Sequence, residues 1–159
     1  MRKYITVILL LLPFLVISQE EEAPLKELTY ISLCDVEEEL SFWQGRVVFI
    51  SFWSKTCGPC IRGFKRYSAL RNELTDQGIV FLNVSIDSKA DWLTAYERYR
   101  PVGINGVAKS FEKAQDDFEI FNLPVYVTID EEGNEIIYDK TKWGNINDLV
   151  EWLDTREDK

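Results

Sequence analysis

The chain has no histidine among its 159 residues, and that gap closes off several chemistries. Without an imidazole there is no histidine general base, no Ser–His–Asp hydrolysis and no histidine metal ligand. Cysteine is sparse: Cys34, Cys57 and Cys60 are the whole supply. Three thiols cannot build a dense disulfide framework. Basic charge is also short, with 18 Lys and Arg against 27 Asp and Glu, a net charge of −9. Such a surface repels phosphate backbones, so a nucleic-acid partner is disfavoured, and the acidity reads as a solvated face.

What remains is enough for one folded domain. Hydrophobic residues make up 46% and aromatics 13% of the chain, which can fill a single core. The N-terminus, MRKYITVILLLLPFLVISQEEE, has a positive start at Arg2 and Lys3 and an apolar run from Ile5 to Ile17. Val16 and Ser18 are small enough for the cleavage-site positions. This is the layout of a secretory signal peptide over residues 1–18. As a helix the apolar run reaches roughly 20 Å, short of the ~30 Å hydrocarbon core, so cleavage is favoured over anchoring. No cysteine follows the run to accept a lipid. The expected location is periplasmic or secreted, an oxidising compartment, with membrane anchoring only if the leader is retained. Residues 19–28 are acidic, contain Pro24, and read as a flexible stem.

Beyond the stem, strand and helix patterns alternate. Tyr30 to Leu33 is a short strand candidate. Arg46 to Trp53 and Ile79 to Ile86 are nearly continuous apolar runs, the signature of strands buried on both faces. Between them, Gly58 to about Asp76 carries Phe64, Tyr67, Leu70 and Leu74 at helical spacing. Ser88 caps a helix from about Lys89 to Arg100, with Trp92, Leu93 and Tyr96 inward and Pro101 as its stop. Val102 to Ser110 reads as loop and Phe111 to Phe118 as a short helix. Val125 to Asp130 is a strand, and Glu131 to Asn134 turns it into Glu135 to Tyr138. Asn145 to Leu153 reads as a closing helix with Ile146, Leu149, Val150 and Leu153 on one face. The order predicts an α/β domain: a mixed central sheet with helices on both faces.

The chemistry concentrates in FWSKTCGPC, where a buried strand runs into a helix. Cys57 falls near the helix N-terminus and Cys60 in the first turn. Unpaired N–H groups and the positive end of the helix dipole favour a thiolate at Cys57, the attacking species in disulfide exchange. Cys60 is close enough to displace the resulting mixed disulfide. Pro59 presets helical geometry where no N–H is needed. Two plainer readings compete. A zinc site wants four ligands, and the chain offers one further cysteine and no histidine. The pair could also be a structural disulfide in a redox-inactive binding domain.

At these residues the chain resembles the thioredoxin superfamily, and within it the exported TlpA/ResA-like branch. The resemblance spans about Tyr30 to Asp154 and rests on FWSKTCGPC, the following helix, IVFLNVSID and FNLPVYVTIDEEGNEI. It implies a thioredoxin-like domain over residues 29–159, with Cys57 attacking and Cys60 resolving, and with Gly58 and Pro59 completing the motif. It implies that Trp53, Thr56, Leu123 and Pro124 face the substrate. It also implies a cis bond before Pro124, which would turn the Leu123 backbone toward Cys57. The expected partner is a disulfide-containing protein, with a membrane electron donor of the DsbD type to recharge the pair. No cofactor and no metal are expected.

The chain departs from the family pattern in several places. Ser51 stands where relatives carry a buried acid or Asn, which leaves the proton acceptor open. Thr56 replaces the usual Trp. Gly63 stands where branch members acting in cytochrome c maturation have Glu, and the helix-kinking proline is missing from Ile61 to Tyr67. Lys55 could favour the thiolate or simply be solvated. Cys34 reads as a small buried apolar residue. No histidine sits between the cysteines, and that leans the electron flow toward reduction, with a dithiol oxidase or isomerase as the alternative. Peroxidase chemistry of the peroxiredoxin kind lacks its Pro-x-x-x-Thr-x-x-Cys setting here.

Overall fold

The two most continuously apolar stretches of the sequence become adjacent central strands. In the computed structural model, which describes residues 27–76 and 78–136, strands β3 (Val48–Trp53) and β4 (Val80–Ser85) are buried at every position. They pair in parallel, Val48 opposite Val80 and Trp53 opposite Ser85. Parallel pairing requires a crossover, and helix α1 (Gly58–Asp76) supplies it. Helix α2 (Lys89–Tyr99) makes the next crossover, into β5 (Ile104–Ala108), parallel to β4. On the other side of β3 lies antiparallel β6 (Val125–Ile129), then β7 (Glu135–Ile136). Strands β1 (Thr29–Ser32) and β2 (Glu37–Glu39) complete the far edge. The sheet order is β2-β1-β5-β4-β3-β6-β7.

Alternation along β3 divides the core. Val48, Ile50 and Phe52 pack with Ala114 and Phe118 of helix α3 (Phe111–Phe118). Trp53 points the other way, among Phe64 of α1 and Trp92 and Ala95 of α2. Helices therefore cover both faces, as the sequence predicts. The crossover geometry brings the C-terminal end of β3 directly to the N-terminus of α1, and this places the cysteine motif at one end of the sheet.

Several expectations change. Residues 104–108 form a strand, where the sequence reads as loop. Gly106 lies under the ring of Tyr30, so a Cβ there would overlap that ring. The buried Asn105 amide donates to the carbonyls of Pro101 (2.9 Å) and Gly103 (2.8 Å), holding the approach to the strand. The Asn105-Gly106 pair thus serves close packing inside a strand. The acidic run Glu37–Glu39 is an edge strand paired to β1, and a 3-10 turn, Leu40–Trp43, follows it. Leu93 is exposed, and Ala95 takes the inward position beside Trp92. Leu28, assigned to the stem, is buried and accepts the Leu40 N–H at 2.8 Å. The leader, residues 19–26 of the stem and the closing helix at 145–153 lie outside the described residues. Among the described residues, no helix is long and apolar enough to cross a membrane.

Candidate active site

Strand β3 ends at Trp53, and after four intervening residues the chain enters α1. The connection is pinned by short bonds. The Cys57 N–H donates to the Ser54 carbonyl at 3.1 Å, and the Lys55 N–H donates to Asp87 Oδ2 at 2.7 Å. Asp87 is itself held by the Ser85 hydroxyl at 2.9 Å, just after β4. The neighbouring strand thereby fixes the turn that presents Cys57. Sequence reading missed Asp87, although its place directly after the IVFLNVSI strand is the available signal.

Cys57 occupies the residue before the first turn of α1, and its carbonyl accepts the first helical bond, from Ile61 at 3.1 Å. The cysteines are joined as a disulfide with Cα atoms 5.3 Å apart. The Cys60 N–H donates to Cys57 Sγ at 3.1 Å. This is the bond an N-cap oxygen accepts from the third helical residue, made here by sulfur. Pro59 has no N–H to compete for it, so the Cys60 amide is the donor that meets the sulfur. Cys57 is 8% exposed and Cys60 1%, which leaves the first reachable and hides the second.

The sequence-predicted residues divide around this pair. The Leu123–Pro124 peptide bond is cis. Leu123 and Thr56 line an open groove of about 410 Å³ beside Cys57, together with Gly58 and Pro59. Trp53 does not line it. Its side chain is fully buried, edge-on to the Phe64 ring at 5.1 Å and in one cluster with both cysteines. The alternation of β3 sends it beneath the disulfide, so it supports the pair and does not face the groove. Residues that the sequence reading did not select supply the remaining walls: Ile86, Phe111, Ile120 and Phe121 are apolar, and Ser54, Gln115 and Asn122 are polar but uncharged.

Charged neighbours are few. Lys55 Nζ lies 2.6 Å from Asp91 Oδ1. That pairing, joined by a bond from Ser88, holds the Asp91 carboxyl below the usual carboxylate value. The Lys55 charge is therefore engaged with Asp91. Ser51 is buried, and its strand neighbours are Asn83 and Tyr126. None of the buried polar side chains among the described residues is a carboxylate. No group of three metal-binding side chains occurs among the described residues. Cys34, expected in the core, is exposed. It sits in the tight turn after β1, where Asp35 N–H bonds the Ser32 carbonyl at 3.0 Å, and a turn tip faces water.

Comparison with known proteins places this geometry. A comparison with curated protein sequences gives no match. The thioredoxin domain of a thiol-disulfide oxidoreductase from Bacteroides vulgatus is similar at a TM-score of 0.73 and 20% identity, covering 81% of this chain and 94% of that one. A thiol:disulfide interchange protein from Bacteroides sp. is similar at 0.67 and 23% identity, covering 79% and 84%. A thiol-disulfide oxidoreductase from Bacteroides fragilis is similar at 0.69 and 16% identity, covering 81% and 98%. These likenesses establish a thioredoxin-like fold. The model of the AhpC/TSA family matches residues 20–137, most of the length, and the chain belongs to that family.

Proposed function

We propose that this protein is an exported thiol–disulfide oxidoreductase that reduces disulfides in proteins through Cys57 and Cys60. The observation that carries the reading is the disulfide at the tip of α1, with one sulfur reachable from an open groove and the other buried behind it.

In the reduced enzyme, the helix end and the Cys60 N–H favour a thiolate at Cys57. That thiolate attacks one sulfur of the substrate disulfide. The substrate S–S bond breaks, a mixed disulfide forms on Cys57, and the departing substrate thiolate takes a proton from water. Cys60 then loses its proton and attacks Cys57 Sγ. The mixed disulfide breaks, the second substrate thiolate leaves and is protonated, and the Cys57–Cys60 disulfide closes. Two electrons have passed from the dithiol to the substrate. No buried carboxylate occurs among the described residues, and water at the groove serves in this reading as the acceptor for the Cys60 proton.

The direction rests on the absence of histidine between the cysteines. Export rests on the leader, and recharging by a membrane donor of the DsbD type rests on the family resemblance. The test is insulin reduction with dithiothreitol as electron source. Turnover by the wild type that disappears in Cys57→Ser is expected. An inert wild type would mark a thioredoxin-fold binding domain with a structural disulfide, and peroxide consumption would mark a peroxidase.

A further inference from the structure

The groove beside Cys57 carries a feature that disulfide exchange does not itself require. Charged residues make up 28% of the chain, yet among the described residues lining the groove none but Cys57 is ionisable. Two of its walls are phenylalanines turned toward water: Phe121 is 77% exposed and Phe111 38%. Phe111 opens α3, and Phe121 lies in the segment leading to cis-Pro124. Leaving both in water forgoes burial free energy that a covering group would recover. Cys57 lines the same groove, so a segment bound along it meets both these rings and the reactive sulfur.

We propose that Phe111 and Phe121 set substrate specificity: they receive an apolar side chain flanking the target cysteine in an extended, uncharged segment of the oxidised protein. This rests on the oxidoreductase reading above. A lysine in the same place would lose hydration without a partner in the groove, and a carboxylate would in addition meet the field of a chain with net charge −9.

The test uses synthetic peptides alike except for the two residues flanking a single cysteine: Leu-Leu, Glu-Glu or Lys-Lys. Each carries a mixed disulfide with β-mercaptoethanol, and dithiothreitol supplies the two electrons per turnover. For the wild type, kcat/KM for the Leu-Leu peptide is expected to exceed both charged peptides by about tenfold. In Phe121→Ser the ratio falls to within about twofold of one, and Phe111→Ser lowers it in part. Phe121→Leu, which keeps an apolar surface, retains most of it. Phe42→Ser alters a residue 73% exposed outside the groove and leaves the ratio unchanged. A wild-type ratio near one overturns the proposal, as does a ratio that survives Phe111→Ser and Phe121→Ser together. A concentration-dependent dimer lost in Phe121→Ser, without any peptide preference, assigns the patch to self-association and also overturns it. Failure to reduce all three peptides removes the oxidoreductase reading itself, which is a distinguishable result.

Discussion

At the scale of single residues, the reactivity proposed for Cys57 rests on where its sulfur sits more than on charged neighbours. The helix tip and the Cys60 N–H are its stabilisers, while Lys55 is engaged by Asp91. The Cys57 thiol of the reduced protein is therefore expected to titrate below the free value of about 8.5, followed by thiolate absorbance. Lys55→Ala is expected to move that titration little, and a large upward move would show that the lysine charge reaches the sulfur. Burial of Cys60 behind Cys57 supports the resolving role proposed for it. Cys60→Ser should accumulate the mixed disulfide with substrate, detected by mass under non-reducing conditions, whereas Cys57→Ser should form none. These two cysteines and the motif between them were legible from the sequence, because a CxxC between a buried strand and a helix has few other uses. Phe111 and Phe121 were not. Exposed aromatics have no local signature, and nine Phe in a chain of this size read first as core.

At the scale of elements, the edge of the sheet depends on one close approach and one buried hydroxyl. Gly106 of β5 passes under the Tyr30 ring, and a side chain there would also lie 3.0 Å from the Ile31 carbonyl. Gly106→Val should cost about 3 kcal/mol through overpacking and loosen the β1–β5 pairing, read from the denaturant midpoint. The Tyr30 hydroxyl donates to Glu38 at 2.7 Å and accepts from Trp43 Nε1 at 3.1 Å, tying β1 to β2 and the 3-10 turn. Burial, reinforced by Glu38 and opposed by the Trp43 bond, raises its phenol well above the ordinary value of 10.0. The folded state keeps this proton where the unfolded chain loses it. The associated stability is therefore whole below about pH 10 and declines as pH rises above it. Tyr30→Phe should cost about 1–3 kcal/mol near neutrality by stranding the Trp43 donor, and should weaken the alkaline decline. Urea midpoints from pH 7 to pH 11 measure both. Neither β2 nor β5 was visible locally: the EEE of residues 37–39 becomes a strand only because β1 offers an edge, and INGVA only because two neighbouring strands accept it.

At the scale of the whole molecule, redox state and folding stability are linked through the same pair. A couple that acts as a reductant must have its oxidised form stabilised relative to its reduced form, whereas a strong oxidant reverses this. Denaturant unfolding is expected to show the disulfide form more stable than the dithiol form. The couple should then lie nearer the thioredoxin potential, about −270 mV, than the value of about −120 mV that marks an oxidant. A more stable reduced form would reverse the proposed direction of electron flow.

The sequence alone determined the central frame: β3, α1 and β4 with the cysteine motif at their junction, α2 with its Ser88 cap, α3, and β6 turning into β7. Those assignments rest on local periodicity and on residues whose backbone preferences act over a few positions. The tertiary structure decided what periodicity does not encode. It turned Trp53 beneath the disulfide and put Cys34 at a solvent-facing turn. It drew residues 104–108 into the sheet and assembled an uncharged groove from segments near positions 54–59, 86 and 111–123. Each of these depends on which distant surfaces meet, and burial free energy is set by that meeting rather than by the order of neighbours along the chain.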